Sequence, residues 1–152
     1  MENNVTLKRI GLENQESLNQ ILKMINSDEE LRNVFAGQTN TIKRIANACY
    51  TAFIEHEKDI VGFVMLVVNE RTNTIEADVG VLKKYRKLGY GTEALGILKE
   101  IVIANNLTVE AQVQNTNTAA IKSVIRSGGE LVRQDEEHSY YAFGPDESEK
   151  SK

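Results

Sequence analysis

Hydrophobic and polar positions follow two periods along the chain, one typical of strands and one typical of helices. Residues 60–68 form an almost continuous apolar run, as expected for a strand covered on both faces. Apolar residues within 18–25 instead repeat at the spacing of a helix. Wider helical stripes run over 94–102 and 120–125, and the glycines at 128–129 end the second of them.

The remaining segments complete an order of strands and helices. Further strands are predicted over 5–10, 51–55, 75–82, 107–113, 130–133 and 139–143. A short helix is predicted from residue 42 to near Cys49. The first half joins strands through polar turns, whereas the second half alternates strand and helix. This order predicts an α+β sheet, antiparallel in its first half, with helices on both faces.

Composition and charge narrow the class of protein. The chain has 152 residues, of which 41% are hydrophobic and 26% are charged, and its net charge is −4. That is ordinary for a globular protein, so we expect one domain over 1–144 and a charged, disordered tail over 145–152. Net negative charge argues against general affinity for nucleic acid or anionic membrane.

Targeting signals and cysteine usage point to the cytoplasm. No apolar run approaches the roughly 18 residues that a membrane span needs, and the first ten residues lack the apolar region of a secretory signal. Cys49 is the only cysteine, which excludes an internal disulfide and a zinc site built from cysteines. We expect Cys49 to be a small buried residue and His56 to lie in a surface turn.

Cations crowd the start of the central helix, where acids are usually preferred. Four of them lie within residues 83–87, and no acid occurs between Asp78 and Glu93. Gly89 and Gly91 follow, and their small size lets the backbone approach a ligand. A bound phosphate or pyrophosphate would resolve the conflict. The alternative is an ordinary glycine-rich turn with solvated lysines, because the segment lacks the GK[ST] ending of a Walker A loop.

Two motifs in a fixed order resemble those of the GNAT acyltransferase superfamily. The R-x-x-G-x-G spacing over 86–91, after the strand-like segment 76–82, is similar to the acetyl-CoA-binding motif of that family. A second segment resembles the next motif of the family. It consists of NTAA at 117–120, the apolar pair at 124–125 and the glycines at 128–129. The resemblance implies an α/β/α sandwich with a mixed, mainly antiparallel central sheet, a splayed strand pair and helices on both faces.

The resemblance also implies positions for acetyl-CoA. The backbone of Val79, Gly80 and Val81 is expected to hold the pantetheine arm. The pyrophosphate is expected among Arg86, Lys87, Leu88, Gly89, Tyr90, Gly91 and Thr92, mostly on backbone N–H groups. Asn117 and Ala120 are expected at the cofactor too. Capping of the following helix is the alternative role for Asn117, and anchoring of the loop is the alternative for Arg86.

The implied reaction is transfer of an acetyl group to a primary amine by direct attack in a ternary complex. An amine with a pKa of ~10.4 is mostly protonated at neutral pH, so a base matters more than an acid. Glu76 matches a glutamate that many relatives place on this strand, although it could equally be a surface carboxylate. Many members protonate the thiolate with a tyrosine of the last helix, which is missing at 124–125. Tyr141 or Tyr140 is the candidate replacement, and a buried aromatic is the alternative for both.

Several functions and partners remain open at this point. A small cationic amine or a peptide amine is the expected acceptor, no metal is expected, and a homodimer is one expectation because homodimers are common in proteins that resemble this one. A non-catalytic acyl-CoA-binding module is the second hypothesis, motivated by the missing tyrosine and by Gln112, which stands where some members carry a further glutamate. A phosphate-binding adaptor that uses the cations of 83–87 is the third.

Overall fold

Seven strands and three α-helices make up the part of the chain that the structure describes. The computed structural model describes residues 5–11, 13–29, 31–32, 47–69 and 74–143. The strands are β1 (Thr6–Arg9), β2 (Ala48–His56), β3 (Asp59–Asn69), β4 (Thr74–Val81), β5 (Val109–Gln114), β6 (Glu130–Gln134) and β7 (His138–Phe143). The helices are α1 (Gln15–Asn26), α2 (Tyr90–Ala104) and α3 (Thr118–Arg126), and a 3-10 turn spans Lys83–Tyr85.

The strands form one sheet with helices on both faces. Leu98 and Val102 of α2 and Val124 of α3 pack into one core on the first face. Ile21 and Ile25 of α1 pack into a second core on the other face. Alternate residues of β3 enter the two cores, because successive side chains of a strand point to opposite faces. The two-sided burial predicted from the apolar run of β3 is therefore confirmed.

The sheet is mixed and mainly antiparallel, with the strand order β1-β2-β3-β4-β5-β7-β6. β4 and β5 are the parallel neighbours, and the other neighbouring strands pair antiparallel. The connection from β4 to β5 passes through α2, as a parallel connection requires. The architecture expected from the resemblance is confirmed.

β4 diverges from β5 after a short contact. β4 pairs with β3 over its whole length, from Thr74 to Val81. Its pairing with β5 is confined to Ile75 with Val109 and Glu76 with Glu110. Among the described residues, no further pairing of β4 with β5 follows Glu76. The strand pair is therefore splayed, and it exposes backbone hydrogen-bonding groups inside the sheet.

Some local expectations were wrong. β2 already begins at Ala48, so no helix extends to Cys49, and residues 33–46 lie outside the described part. Cys49 is exposed instead of buried. His56 is the last residue of β2 and is half-buried, where a surface turn was expected. The predicted tail at 145–152 also lies outside the described residues. Among the helices described, none is both long enough and apolar enough to cross a membrane.

Candidate active site

A short loop carries the glycine motif from the end of β4 to the start of α2. Lys87 has a φ of 67° and Gly89 has a φ of 88°, so the chain enters the left-handed region twice within three residues. Gly89 is the N-cap of α2, and a Cβ built on it would meet no atom within 4 Å. The space beside the helix end is therefore open.

The first turn of α2 presents backbone donors to this open space. The first intrahelical bond is donated by the Glu93 N–H to the Gly89 carbonyl at 3.0 Å. The N–H groups of Tyr90, Gly91 and Thr92 precede it and have no partner within the helix, and Gly89 has no side chain to cap them. Such a helix end can bind an anion through its N–H groups and its partial positive charge.

Arg86 anchors the loop to α1 and to β4. Its Nη2 lies 2.6 Å from Oδ2 of Asp28, which follows α1, and its Nε donates to the Val81 carbonyl at 3.0 Å. The Asp28 side chain is 5% exposed and that of Arg86 is 23% exposed. These contacts correspond to the anchoring alternative for Arg86, and its contact with a phosphate stays a prediction.

The remaining cations of the loop point into solvent. Lys83, Lys84 and Lys87 are exposed, and Lys84 Nζ lies 5.0 Å from the centre of the Tyr85 ring. Leu88, which follows Lys87, is 47% exposed. The open end of α2 is therefore bordered by exposed positive charges, which favour an anionic ligand.

The Tyr90 side chain fixes the first turn of α2 to the end of β2. The ring is 6% exposed, and its hydroxyl lies 3.1 Å from Nδ1 of His56. The two ring centres are 4.9 Å apart. Only the backbone of Tyr90 therefore faces the open helix end. The sequence carries no local signal for this contact, because His56 and Tyr90 are 34 residues apart in the chain.

Hydroxyl groups join the start of α2 to α3. The Thr92 hydroxyl donates to Ser123 Oγ at 3.0 Å, and the Ser127 hydroxyl donates to the Thr92 carbonyl at 3.1 Å. Asn117 caps α3, because its Oδ1 accepts the Ala120 N–H at 3.1 Å. This cap uses the amide oxygen of Asn117 and leaves its NH₂ group for other contacts.

The splayed part of β4 runs directly into the loop. Val79 and Val81 pack towards α2, whereas Gly80 faces the α1 side. A Cβ on Gly80 would lie 2.7 Å from two ring atoms of Phe63, so this position requires glycine. The splayed edge of β4 and the start of α2 are therefore joined by the short loop of residues 82–89.

Glu76 and Tyr141 lie on opposite faces of the sheet. Ile75 and Ala77, the neighbours of Glu76, pack into the core beneath α2 and α3. Glu76 therefore points to the α1 face, at the place where β4 and β5 part. Tyr141 is 6% exposed and lies in the core beneath α2 and α3, opposite Ala111. The structure does not bring these two predicted residues together.

Tyr140 is the tyrosine on the Glu76 face. Its hydroxyl donates to Oδ2 of Asp135 at 3.3 Å, and the guanidinium of Arg133 lies 4.2 Å from its ring centre. Arg133 Nη2 in turn lies 2.9 Å from Oε1 of Glu110, the β5 neighbour of Glu76. Burial raises the pKa of Tyr140, and the charges of Asp135 and Glu76 add to that shift, while Arg133 opposes it.

A cavity of about 500 Å³ lies at the other side of the sheet, between the end of β1 and the start of β2. Arg9, Glu13, Cys49 and Tyr50 are among its lining residues. Burial raises the pKa of Tyr50, and the nearby Arg9 charge lowers it. Two strands separate this cavity from β5, so it is distinct from the splayed pair.

Solved structures share this fold. An acetyltransferase from Agrobacterium tumefaciens aligns with a TM-score of 0.73 and 15% identity, over 94% of this chain and 92% of its own. The spermidine N-acetyltransferase from Vibrio cholerae, in complex with CoA and spermine, aligns with a TM-score of 0.70 and 14% identity, over 93% of this chain and 96% of its own. A ribosomal L7/L12 alpha-N-protein acetyltransferase in complex with CoA aligns with a TM-score of 0.64 and 12% identity, over 93% of this chain and 94% of its own.

The sequence itself matches one family. No protein with a curated description matches it significantly. The profile of the acetyltransferase (GNAT) family matches residues 16–124, which include the splayed strands, the loop and most of α3. The match spans most of the chain and agrees with the fold and with the motifs of residues 86–91 and 117–120. The chain therefore belongs to the acetyltransferase (GNAT) family.

Proposed function

We propose that this acetyltransferase moves an acetyl group from acetyl-CoA to a primary amine, on a small cationic molecule or a peptide, by direct attack in a ternary complex. The observation that carries the proposal is the divergence of β4 from β5 beside the open N-terminus of α2. An extended pantetheine arm needs free backbone groups, and a pyrophosphate needs backbone N–H groups at an accessible helix start.

The residues at the site fit acetyl-CoA on both requirements. The resemblance assigns the pantetheine arm to the backbone of Val79, Gly80 and Val81, where β4 no longer pairs with β5. The Gly80 carbonyl lies beside Gly62 of β3 and the Val81 carbonyl accepts from Arg86, so the backbone of Val79 and the Val81 N–H are the groups proposed to bind the arm. Gly89 leaves open space where any other residue would project a Cβ. The resemblance assigns the pyrophosphate to residues 86–92, and the exposed lysines there match its charge. Arg86 contributes by holding the loop in shape through Asp28.

Glu76 is the proposed general base. Acetyl-CoA supplies the thioester: the amine nitrogen bonds to its carbonyl carbon, the carbon–sulfur bond breaks, and CoA leaves as the thiolate. Glu76 lies where β4 and β5 part, so its carboxylate is positioned to take the proton that the amine loses, directly or through a water molecule. The thiolate, with a pKa of ~8.5, needs little help from an acid.

The position of Tyr141 does not support its proposed role as an acid. Its ring is buried on the face away from Glu76. Tyr140 shares the Glu76 face, but its hydroxyl is bonded to Asp135. We therefore infer that thiolate release depends on positioning and solvent, without a dedicated tyrosine.

A cationic acceptor agrees with the charges near Glu76. Asp78 lies two residues further along the same face of β4 and adds negative charge there. The charge of Glu110, the neighbour of Glu76 on β5, is paired with Arg133. The Vibrio cholerae protein of the same fold binds spermine, whereas another structural neighbour acetylates a ribosomal protein. Because proteins of this fold act on both small amines and protein amines, the fold does not identify the acceptor. The negative charge near Glu76 is the feature that favours a cationic acceptor here.

Initial rates of CoA release test the proposal. Polyamines, amino sugars and peptides are compared at several concentrations of acetyl-CoA. A ternary complex predicts double-reciprocal lines that intersect, whereas a covalent acetyl-enzyme predicts parallel lines. Saturable binding of acetyl-CoA without release by any amine would reject transfer and favour a non-catalytic CoA-binding module, the alternative raised by the missing tyrosine.

A further inference from the structure

The first turn of α2 depends on the side chain of Tyr90 for its orientation. Gly89 and Gly91 flank Tyr90, and a glycine leaves the backbone more conformational freedom than any other residue. Neither glycine has a side chain that could pack against the rest of the protein. One residue further on, Thr92 is tied to Ser123 of α3. Tyr90 is therefore the anchor of this turn on the side of the loop, where the free N–H groups begin.

The Tyr90 ring is held by burial and by a polar contact. It is 6% exposed and packs in the core beneath α2 and α3. A buried hydroxyl without a partner is destabilising, so the hydroxyl favours the ring position in which a partner is within reach. Nδ1 of His56 lies 3.1 Å from that hydroxyl, and the two ring planes are inclined by 34° with their centres 4.9 Å apart. His56 therefore restrains the Tyr90 ring through a hydrogen bond and through ring contact.

His56 has a backbone position that strand pairing sets. It is the last residue of β2 and pairs with Asp59, the first residue of β3. The two residues between them form a tight turn, in which Glu57 has a φ of 59°. β2 and β3 lie inside the sheet, with β1 on one side and β4 on the other. The imidazole therefore extends from a well-supported part of the backbone towards the start of α2.

We propose that His56 is a positioning residue for the pyrophosphate of acetyl-CoA, an inference that rests on the proposed function. His56 acts through Tyr90: it holds the ring, and the ring holds the N–H groups of residues 90–92 in the direction in which they bind the pyrophosphate. Without this contact, the glycines on both sides of Tyr90 let the turn adopt other conformations. Binding of acetyl-CoA then has to order the turn, which lowers the affinity.

Two substitutions of His56 separate the hydrogen bond from the bulk of the ring. An asparagine carries an amide that can donate to the Tyr90 hydroxyl or accept from it, as an imidazole can, whereas a leucine of similar bulk cannot. Isothermal titration measures the dissociation constant of acetyl-CoA. His56→Leu should raise this constant about fivefold, and His56→Asn should keep it within about twofold of the wild-type value.

Thermal unfolding, followed by circular dichroism, separates positioning from a contact that only stabilises the fold. Each variant is titrated at a temperature at which it is fully folded. A contact that only stabilised the fold would lower the midpoint of unfolding and leave the dissociation constant of acetyl-CoA unchanged under these conditions. Tyr90→Phe, which removes the hydroxyl and keeps the ring, replaces His56→Leu if that variant does not fold.

A double variant tests whether His56 acts through Tyr90. Tyr90→Phe and His56→Leu remove the same hydrogen bond, so the double variant should bind acetyl-CoA no more weakly than His56→Leu alone. Losses of affinity that multiply in the double variant would show two independent effects and overturn the proposal. Tyr50→Phe is the matched control, because Tyr50 lies near the other end of β2, and it should leave the affinity unchanged.

Failure of this inference can be told apart from failure of the proposed function. Wild-type affinity in His56→Leu, or equal losses in His56→Leu and His56→Asn, would overturn the role of His56 and leave acetyl-CoA as the ligand. A wild type that does not bind acetyl-CoA would overturn the proposed function together with this inference.

Discussion

Nη2 of Arg86 lies 2.6 Å from Oδ2 of the buried Asp28, and this pair joins the loop before α2 to the end of α1. Asp28 is nearly inaccessible, while Arg86 keeps some contact with solvent. Removing either partner breaks this ion pair in a site of low polarity and is therefore destabilising. The pair is therefore central to the shape of the loop.

Asp28→Asn and Arg86→Met should each lower the free energy of unfolding by about 2 kcal/mol. This is less than the cost of breaking a fully buried ion pair, because Arg86 is partly exposed. The double variant should cost less than the sum of the two single changes, since both single changes remove the same ion pair. Chemical denaturation of the four proteins measures this. Fully additive losses would contradict a direct ion pair.

Gly89→Ala should separate stability from cofactor binding. The positive φ at residue 89 costs an alanine about 1 kcal/mol, whereas the new Cβ would project into the space proposed for the pyrophosphate. We expect the dissociation constant of acetyl-CoA, measured by isothermal titration, to rise at least about tenfold, more than the backbone cost alone explains.

Gly96→Ala is the matched control for this change. Gly96 lies inside α2, and a Cβ there also meets no atom within 4 Å. Alanine inside a helix should stabilise the protein by roughly 0.5–1 kcal/mol. Binding of acetyl-CoA should not change. Equal affinity for acetyl-CoA in Gly89→Ala and Gly96→Ala would argue against the loop as the pyrophosphate site.

Glu76→Gln should lower kcat about a hundredfold at neutral pH and leave the dissociation constant of acetyl-CoA unchanged. The deficit should narrow as the pH approaches the amine pKa of ~10.4, because the acceptor then loses its proton to solvent. Asp78→Asn, two residues along the same face of β4, is the control and should keep most of the activity. A similar loss in both variants would show a general effect of charge.

Asp135 should contribute stability that depends on pH. Hydrogen bonds from the backbone N–H groups of His138 and Glu137 hold the pKa of Asp135 below its usual value. A carboxyl with a lowered pKa in the folded state stabilises the protein above its unfolded pKa of ~3.9, and this contribution is lost as the pH falls through the folded value. Denaturation curves should show a gap between wild type and Asp135→Asn at neutral pH that closes below about pH 4.

The sequence predicted those features that depend on local spacing. The apolar run of 60–68 and the helical stripe of 94–102 correspond to β3 and α2, because their periods reflect which face is buried. Cys49 was misassigned, since a strand and a helix end can share the same short apolar pattern. The glycine motif lies at the helix start for which it was proposed.

Contacts between distant residues could not be predicted in this way. Arg86 and Asp28 are 58 residues apart, and Tyr90 and His56 are 34 apart. No local period signals such pairs. The choice between Tyr140 and Tyr141 depends on the register of β7 against β5, where a shift of one residue exchanges the two faces.

Hydrogen exchange with and without acetyl-CoA tests the site most directly, because it reports on the backbone groups proposed to hold the cofactor. Saturating acetyl-CoA should slow the exchange of amides within 79–81 and 89–92, and leave β1 unchanged. If these two segments exchange at the same rate with and without bound acetyl-CoA, the splayed strand and the start of α2 are not its binding site.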